Sequence, residues 1–318
     1  MRPKLSRNTT YRKDLMKHEV LMRRLAKPML FAAALIWGSS FFMVKETVDT
    51  LPSLYLLTLR FAGGALLLAL VCWKQWKEFT WDYLWRGAVI GAFLCGAYTV
   101  QIFGLERTTP SNNAFLTAVY CVLVPFFYWF TMKKRPDLYN LLAAVLCVVG
   151  VALVSISGEI TIATGDLLTL LGAVLFAAHI VAVANVSPGK NIYLLTVFQF
   201  AFSALFDGIA AISLQRFPIG FVLTPALGWT LFYLTVFCTT IALLFQNVGQ
   251  VWSDPASASI ILSLESVFGV LFSVLLYGDP ITPRLLLGFS LIFIAVVCSE
   301  TKLSFLPVKG RKNLPGGS

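Results

Sequence analysis

The sequence predicts an all-α membrane protein with ten transmembrane helices, arranged as two inverted five-helix repeats. Three observations predict this class. The composition is 58% hydrophobic and only 13% charged, whereas a soluble domain has about 25% charged residues. Ten apolar windows are long enough to cross a bilayer, and a polar motif recurs at a constant offset along the chain.

Each window has close to the 20 or so mainly apolar residues that a helix needs to cross about 30 Å of hydrocarbon. The windows are apolar on all sides and lack the alternation of barrel strands, so helices remain as the spanning structure. In chain order the windows cover residues 28–44, 53–73, 85–103, 111–130, 138–156, 165–183, 192–214, 223–245, 255–277 and 283–298.

An internal repeat relates the two halves of the chain. Gln101, Gly104 and Pro110 recur 145 residues later as Gln246, Gly249 and Pro255. The same offset places the fifth window on the tenth, so the repeat unit has five helices. Because five is an odd number, the second half must enter the membrane from the opposite side, which is an arrangement typical of transporters.

The basic residues predict how the chain lies in the membrane. Nine Lys and Arg residues fall within residues 1–27, and further groups follow near 74–86, 133–135, at Lys190 and after residue 301. The other side of the predicted bundle has only Lys45, Arg107, Arg216 and Arg284. The positive-inside rule therefore places both termini in the cytoplasm, and a bacterial cytoplasmic membrane is the expected location.

The predicted organisation is a basic cytoplasmic tail over residues 1–27, repeats over 28–158 and 159–300, and a cytoplasmic C-terminal tail over 301–318. The N-terminal tail does not resemble a cleavable signal, because it has no early apolar core. Within it, residues 11–25 form either an amphipathic helix on anionic lipid or a solvated arm. All six cysteines lie in helical windows, which argues against a disulfide framework or a zinc site.

Several motifs resemble the drug/metabolite transporter superfamily, specifically its EamA-like branch. They are LIWGSSF at 35–41, LRF at 59–61, GLERTTPSNNAFLTAVYCVLVPFF at 104–127 and DPASASIILSLESVFGVLFSVLLYGDPIT at 254–282. The resemblance covers residues 28–300. It implies a ten-helix carrier with the fifth and tenth helices at the periphery and a central cavity between the halves. It also implies a small metabolite as substrate, with amino acids among the candidates.

Ionisable residues inside the windows are candidates for function, because a charge in hydrocarbon is costly unless it is paired or hydrated. Glu265 lies ten residues after Pro255, near the middle of the bilayer, and its repeat partner is Tyr120. The two are expected to face each other across the cavity, where Glu265 accepts a proton or a substrate ammonium group. The alternative is a neutral Glu265 that hydrogen-bonds a neighbouring helix.

Two further pairs follow from the repeat. His179 and its counterpart Ser39 are expected to approach the cavity from opposite faces, where His179 binds substrate, relays a proton or hydrogen-bonds a backbone carbonyl. Arg60 and Asp207 lie at similar depths in the second and seventh helices. We expect them to form a structural charge pair rather than to contact substrate.

Other polar residues in the windows complete the predicted substrate-binding set. Small residues in membrane helices usually serve packing, so Ser40, Gly91 and Gly96 are interpreted as contacts between helices. Amides in lipid need partners, which a hydrated cavity supplies. The predicted lining is Trp37, Ser39, Tyr98, Gln101, Asn113, Thr117, Tyr120, His179, Gln246, Asn247, Ser259 and Glu265.

Together these features predict a secondary carrier that works by alternating access, in the direction of export, with proton coupling among the open modes. No P-loop motif is present, so the chain lacks the ATP machinery of a primary pump. The alternatives are an intramembrane enzyme, with Asp166 and Asp207 or His179 as its reactive groups, and a non-transporting scaffold. No cofactor, metal or nucleic acid is expected. The partners are substrate and membrane lipid, and a homodimer is left open.

Overall fold

The computed structural model describes residues 5–155, 163–278 and 281–301, and these residues form helices and their connections without a strand. The predicted repeat boundary at 158/159, the first four residues and the tail from residue 302 onward lie outside the described residues. The helices are α1 (Leu5–Gly38), α2 (Phe41–Thr47), α3 (Ser53–Val71), α4 (Asp82–Leu105), α5 (Pro110–Thr117), α6 (Tyr120–Met132), α7 (Leu138–Ser155), α8 (Thr164–Val186), α9 (Ile192–Leu214), α10 (Pro225–Tyr233), α11 (Ala242–Val251), α12 (Pro255–Leu262), α13 (Leu264–Phe272) and α14 (Pro283–Thr301).

Three short segments of non-α helix complete the description. A 3₁₀ helix covers Trp73–Glu78 after α3. A π-helical segment, Leu234–Ile241, joins α10 to α11, and a second one, Ser273–Tyr277, follows α13. The first π-helical segment matters for the cavity described below.

Eight helical stretches within the described residues are long and apolar enough to cross a membrane, which confirms an all-α membrane protein. They are Glu19–Thr47, Ser53–Val71, Asp82–Leu105, Pro110–Met132, Thr164–Val186, Ile192–Leu214, Pro225–Val251 and Pro255–Leu276. Shorter apolar stretches occur in α7 and α14, and these two helices pack against each other.

The first helix does not begin where the sequence places the end of the tail. α1 runs without interruption from Leu5 to Gly38, with Pro28 inside it, so residues 11–25 are helical. Met22 and Ala26 are buried, and the carbonyl of Ala26 lies next to Gly249 of α11. The end of the tail therefore packs against the bundle as part of the first span.

Helix α4 packs between α8 and α9. Close approach is needed there, because a Cβ at Gly91 would lie 2.8 Å from the backbone oxygen of Gln199. This confirms Gly91 as a contact between helices. α3 packs on α9 and on the first π-helical segment, while α1 packs on α11, α12 and α13.

One end of the bundle, here called the basic end, holds Arg86 at the start of α4 and Lys190 between α8 and α9. Lys190 Nζ pairs with Asp82 Oδ2 at 2.6 Å, and Arg86 donates a hydrogen bond to the carbonyl of Val186. The backbone N–H of Asn191 donates to the Tyr83 hydroxyl at 2.8 Å. These contacts join the start of α4 to the α8–α9 loop.

At the opposite end, a different arrangement joins α2 to α4. Lys45 Nζ donates to the carbonyl oxygens of Leu105, Glu106 and Thr108, at 2.7, 3.0 and 3.1 Å. These carbonyls lie at and just beyond the C-terminus of α4, where a cation is favoured by the helix dipole. Lys45 thus fixes α2 to the end of α4.

Candidate functional site

A cavity of about 50 Å³ lies at the centre of the bundle, displaced toward the end opposite the basic end. It has room for only a few water molecules, so it must widen to admit a metabolite. Both halves of the chain contribute to its wall, which consists of Trp37, Ser40, Phe41, Val44, Leu57, Arg60, Tyr98, Gln101, Ile102, Leu105, Asn113, Tyr120, Phe176, Ile180, Gln246, Leu262 and Glu265.

Two broken helices bring Tyr120 and Glu265 to this cavity. α5 and α12 each begin with a proline, Pro110 and Pro255, after a capping Thr or Asp, and each runs for eight residues. Each chain then resumes as a second helix after a short break. Pro at the first helical position costs no hydrogen bond, and broken helices near the bilayer centre are typical of transporter binding sites.

At each break, the backbone hydrogen bond next to the side chain spans fewer residues than in a regular α-helix. Cys121 N–H donates to the carbonyl of Ala118 at 3.0 Å, and Ser266 N–H donates to that of Ser263 at 3.1 Å. Both bonds span three residues instead of four. Tyr120 is the first residue of α6 and Glu265 the second of α13, so both follow directly after a break.

The carboxyl group of Glu265 is nearly completely buried beside the hydroxyl of Tyr120. The two groups interact, but the Tyr120 hydroxyl has no hydrogen bond of regular geometry within the described residues. No Lys or Arg among these residues forms an ion pair with Glu265. Because burial penalises a lone charge, this carboxyl can accept a proton or a cationic group of a solute.

Arg60 is the second charged group in the wall. Its side chain is buried, its Nε donates to Thr239 Oγ1 at 3.1 Å, and its guanidinium lies 5.5 Å from the ring centroid of Tyr98. No carboxylate among the described residues forms an ion pair with it. Arg60 therefore presents a positive charge to the cavity.

Arg60 and Asp207 interact electrostatically, but they form no direct ion pair of the kind predicted. Asp207 Oδ1 accepts hydrogen bonds from Thr99 Oγ1 at 2.9 Å and from Cys95 Sγ at 3.1 Å, both on α4. Its Oδ2 is buried without a hydrogen-bond partner. The prediction matched depth in the membrane, but each side chain has other partners. Asp207 bonds to Cys95 and Thr99 of α4, whereas Arg60 lies over Tyr98 of the same helix and donates to Thr239.

Two of the wall residues, Trp37 and Arg60, donate hydrogen bonds to the π-helical segment Leu234–Ile241. The carbonyl of Cys238 accepts a 2.7 Å hydrogen bond from Trp37 Nε1, and Thr239 accepts the bond from Arg60. The wider π turn is supported by its own threonine, since Thr239 Oγ1 donates to the carbonyl of Leu234, five residues earlier, at 2.9 Å. π-helical turns occur often at functional sites.

Two amides on the first half also reach the cavity and are held by their neighbours. Gln101 Nε2 donates to Thr117 Oγ1 at 3.0 Å. Asn113 Nδ2 donates to Thr169 Oγ1 at 2.7 Å and to the carbonyl of Gln101 at 3.1 Å, while its Oδ1 has no partner. Thr117 thus orients a wall residue without lining the cavity itself.

Of the predicted substrate-binding residues, the structure gathers one set at the cavity and places the rest elsewhere. The cavity set is Trp37, Tyr98, Gln101, Asn113, Tyr120, Gln246 and Glu265, and the residues away from the wall are Ser39, Thr117, His179, Asn247 and Ser259. Ser39 shares a 2.6 Å hydrogen bond with Tyr233, and Ser259 donates to the carbonyl of Ala256. Both serines therefore hydrogen-bond to neighbouring helix groups and not to the cavity.

Sequence reasoning missed Arg60 as a wall residue and interpreted Ser40 as a contact between helices. It also missed the apolar wall residues, among them Phe176 and Ile180, which lie four residues apart on one face of α8. A signal for Arg60 existed, because an arginine inside a span almost always faces the bundle interior or a water-filled cavity. Nothing in the sequence separates Phe176 from a lipid-facing phenylalanine.

Comparisons with known proteins agree with this architecture. The EamA-like transporter family model matches the chain twice, over residues 25–156 and 163–301. An uncharacterised transporter from Archaeoglobus fulgidus is 34% identical over 280 residues, covering 88% of this chain and 87% of that protein. A solved crystal structure is similar over 89% of this chain and 98% of its own chain, with a TM-score of 0.71 and 16% sequence identity. At that identity the likeness shows the fold alone.

Proposed function

This chain belongs to the EamA-like transporter family, and we propose that it is a secondary carrier which exports a small polar or amphipathic metabolite by alternating access. An amino acid or a similar zwitterion fits the cavity best. The observation that carries this proposal is the presence of two buried, oppositely charged side chains in one cavity wall, Arg60 and Glu265, neither of which has an ion-pair partner among the described residues.

The proposed architecture has ten spans in two inverted halves. Two matches to one family model, one in each half, support the duplication. The matched breaks after α5 and α12 support it at the level of the backbone. An odd number of spans in each half reverses the second half in the membrane, and the two halves can then rock around a shared central site.

The chemistry of the wall favours a zwitterion. A guanidinium binds a carboxylate through two parallel N–H donors, and Glu265 can bind an ammonium group. The rings of Trp37 and Tyr98 add apolar area at the same wall. A solute with both charges would neutralise both buried groups at once, which a singly charged solute cannot do.

Export follows if a proton and the solute ammonium compete for the carboxylate of Glu265. A proton that binds Glu265 from outside displaces the solute outward, and the proton leaves on the cytoplasmic side when the next solute binds. The cycle then exchanges one proton for one solute. The basic end is placed in the cytoplasm by the positive-inside rule, with both termini on that side.

Flux measurements in liposomes test the proposal. The purified protein is reconstituted and offered labelled amino acids, nucleobases and polyamines, with and without a pH gradient. We expect at least one zwitterionic solute to accumulate in the more acidic compartment. An absence of protein-dependent flux for every member of the panel, from correctly inserted protein, would overturn the carrier. Flux that ignores the pH gradient would overturn the proton exchange.

A further inference from the structure

A buried polar cluster lies behind the cavity wall, on the side of the basic end. It consists of His179 on α8, Thr196 and Gln199 on α9, and Asn247 on α11, and all four side chains are completely buried. Asn247 Nδ2 donates to Thr196 Oγ1 at 2.9 Å and to Gln199 Oε1 at 2.8 Å. Gln199 Nε2 lies 3.0 Å from His179 Nε2. The cluster thus joins three helices of the second half.

The hydrogen bonds inside the cluster leave several polar atoms without a partner. Among the described residues, His179 Nδ1 and Asn247 Oδ1 have none. Gln250, one turn further toward the basic end on α11, is buried with neither amide atom bonded. Each unsatisfied buried group costs about 1–3 kcal/mol. A set of such groups in one place is stabilised whenever water or a polar solute reaches it.

The repeat gives this cluster a counterpart in the first half. Arg60 is the eighth residue of α3 and Gln199 the eighth of α9. Asn247 follows Gln246, which is the repeat partner of Gln101, and Gln246, Gln101 and Arg60 all line the cavity. The cluster therefore occupies, in the second half, the place that corresponds to the Arg60 side of the cavity in the first half.

We propose that this cluster is the basic-end half of the solute pathway, closed in this structure and open to the cytoplasm in the opposite state. The proposal rests on the carrier function above, because inverted halves exchange their open and closed arrangements during alternating access. In the open state the unpartnered atoms of His179, Asn247 and Gln250 hydrogen-bond water and the polar groups of the incoming solute.

The chemistry of the cluster differs from that of the central wall. It offers amide, hydroxyl and imidazole groups with both donors and acceptors, and it includes no Arg, Lys, Asp or Glu. Such a surface binds hydrated polar solutes without the strong preference for a zwitterion that Arg60 and Glu265 impose. It suits a loading vestibule, where the solute enters from the cytoplasm before it reaches the charged wall.

The contacts at the basic end close this vestibule. The Lys190–Asp82 pair, the bond from Arg86 to Val186 and the stacking of Phe79 on Phe198, with ring centroids 5.4 Å apart, all join the start of α4 to α8 and α9. Phe198 precedes Gln199 of the cluster. Separation of these contacts would uncover the cluster from the cytoplasmic side.

Accessibility of an introduced thiol tests the inference without any knowledge of the solute. Thr196→Cys places a thiol inside the cluster. Ser203→Cys is the matched control, because Ser203 is equally buried on the same helix but donates to the carbonyl of Gly91 in the contact with α4. Both variants are exposed to a membrane-impermeant methanethiosulfonate, in inside-out vesicles and in intact cells, with the unmodified protein as baseline for the six native cysteines.

We expect Thr196→Cys to react at least about tenfold faster than Ser203→Cys in inside-out vesicles, as for a site exposed in a minor state. Adding Lys190→Ala should raise the rate further. If Thr196→Cys is poorly inserted into the membrane, the labelling rate of Gln199→Cys provides a second measurement at the same cluster. Equal rates for cluster and control, or reaction from the outer side alone, would overturn the inference. Labelling is measured apart from flux, so a vesicle preparation with fast labelling and no flux would refute only the carrier.

Discussion

The two halves of the chain share a backbone design around the cavity but differ in the side chains that they place on it. Each half has a helix that starts with a proline, breaks after eight residues and presents a side chain just past the break. In the first half this side chain is the uncharged Tyr120, and in the second half it is Glu265. At matched positions of α3 and α9, the first half has Arg60 and the second has Gln199. The duplicated geometry serves motion, while the unequal side chains supply one charge from each half.

The largest expected effect comes from removing the charge past the second break. Glu265→Gln should lower gradient-driven exchange by at least about 30-fold, because it removes the carboxylate that pairs with the solute ammonium group, and losing one member of a buried charge pair costs about 2–5 kcal/mol. The matched change past the first break, Tyr120→Phe, removes a hydroxyl without a regular hydrogen bond and should keep exchange within about threefold. Initial rates in liposomes measure both. Equal losses would mean that the two breaks are chemically equivalent.

Arg60 gives the second test of unequal halves. Arg60→Gln should raise the half-saturation concentration of a zwitterionic solute by about tenfold, the factor that 1.4 kcal/mol supplies. It should leave binding of the corresponding amine, which lacks the carboxylate, nearly unchanged. Competition assays with paired solutes measure the difference. A parallel loss for the amine would assign Arg60 to structure instead of solute binding. Arg60→Asp combined with Asp207→Arg should not restore flux, because the two residues form no direct pair.

Substitutions at two equivalent glycines, Gly104 and Gly249, test how tightly the helices of each half are packed. Gly104 and Gly249 occupy the same position of the repeat, but a Cβ at Gly104 would press on Thr169 Oγ1 and lie 2.8 Å from the backbone oxygen of Gly165. At Gly249 it would lie 2.7 Å from Leu30 Cγ, in a side chain, and slightly further, at 3.0 Å, from the backbone oxygen of Ala26. Gly104→Ala should therefore cost about 1–3 kcal/mol as overpacking, and Gly249→Ala less. Thermal unfolding in detergent measures both, and a larger loss at Gly249 would contradict the comparison.

The smallest effect concerns the lysines at the two ends of α4. Lys45→Gln removes a cation from the C-terminal carbonyls of α4 and should cost about 0.3–1 kcal/mol. Lys190→Gln breaks a pair with the exposed Asp82 and should shift the melting temperature less, with the shift vanishing in about 1 M salt. Melting curves at low and high salt separate them. A shift for Lys190→Gln that persists in high salt would show that this end is held as firmly as the other.

Much of the fold follows from the sequence, because the hydrocarbon forces every span to satisfy its own backbone. The window 192–214 has the same bounds as α9, and the repeat of Pro110 and Pro255 locates the two helices that reach the cavity. The breaks after Thr117 and Leu262 could not be predicted, since neither glycine nor proline lies at them. At the breaks, local bonds across three residues, such as Cys121 N–H to Ala118 O and Ser266 N–H to Ser263 O, replace the regular bonds across four.

The sequence predicted how deep in the membrane the site residues lie, but not in which direction each side chain points from its helix. Glu265, Tyr120, Tyr98 and the amides of Gln101 and Gln246 were expected at the cavity and lie there. His179 and Asn247 have suitable depth but face the neighbouring helices of their own half. Hydropathy constrains distance along the membrane normal, whereas rotation about a helix axis depends on packing, which a single sequence specifies only weakly.

The π-helical segment Leu234–Ile241 shows how little change can separate the duplicated halves. A π turn contains one more residue than an α turn and is therefore wider. Here it leaves the carbonyl of Cys238 able to accept from Trp37 and turns Thr239 toward α3, where it accepts from Arg60. A span without charged residues thus anchors both wall residues. The corresponding helix of the first half, α4, is regular throughout. A single-codon insertion in an ancestral gene is enough to produce such a register shift. Asymmetry in the wall can thus arise from a change in chain length that leaves every existing side chain in the sequence untouched.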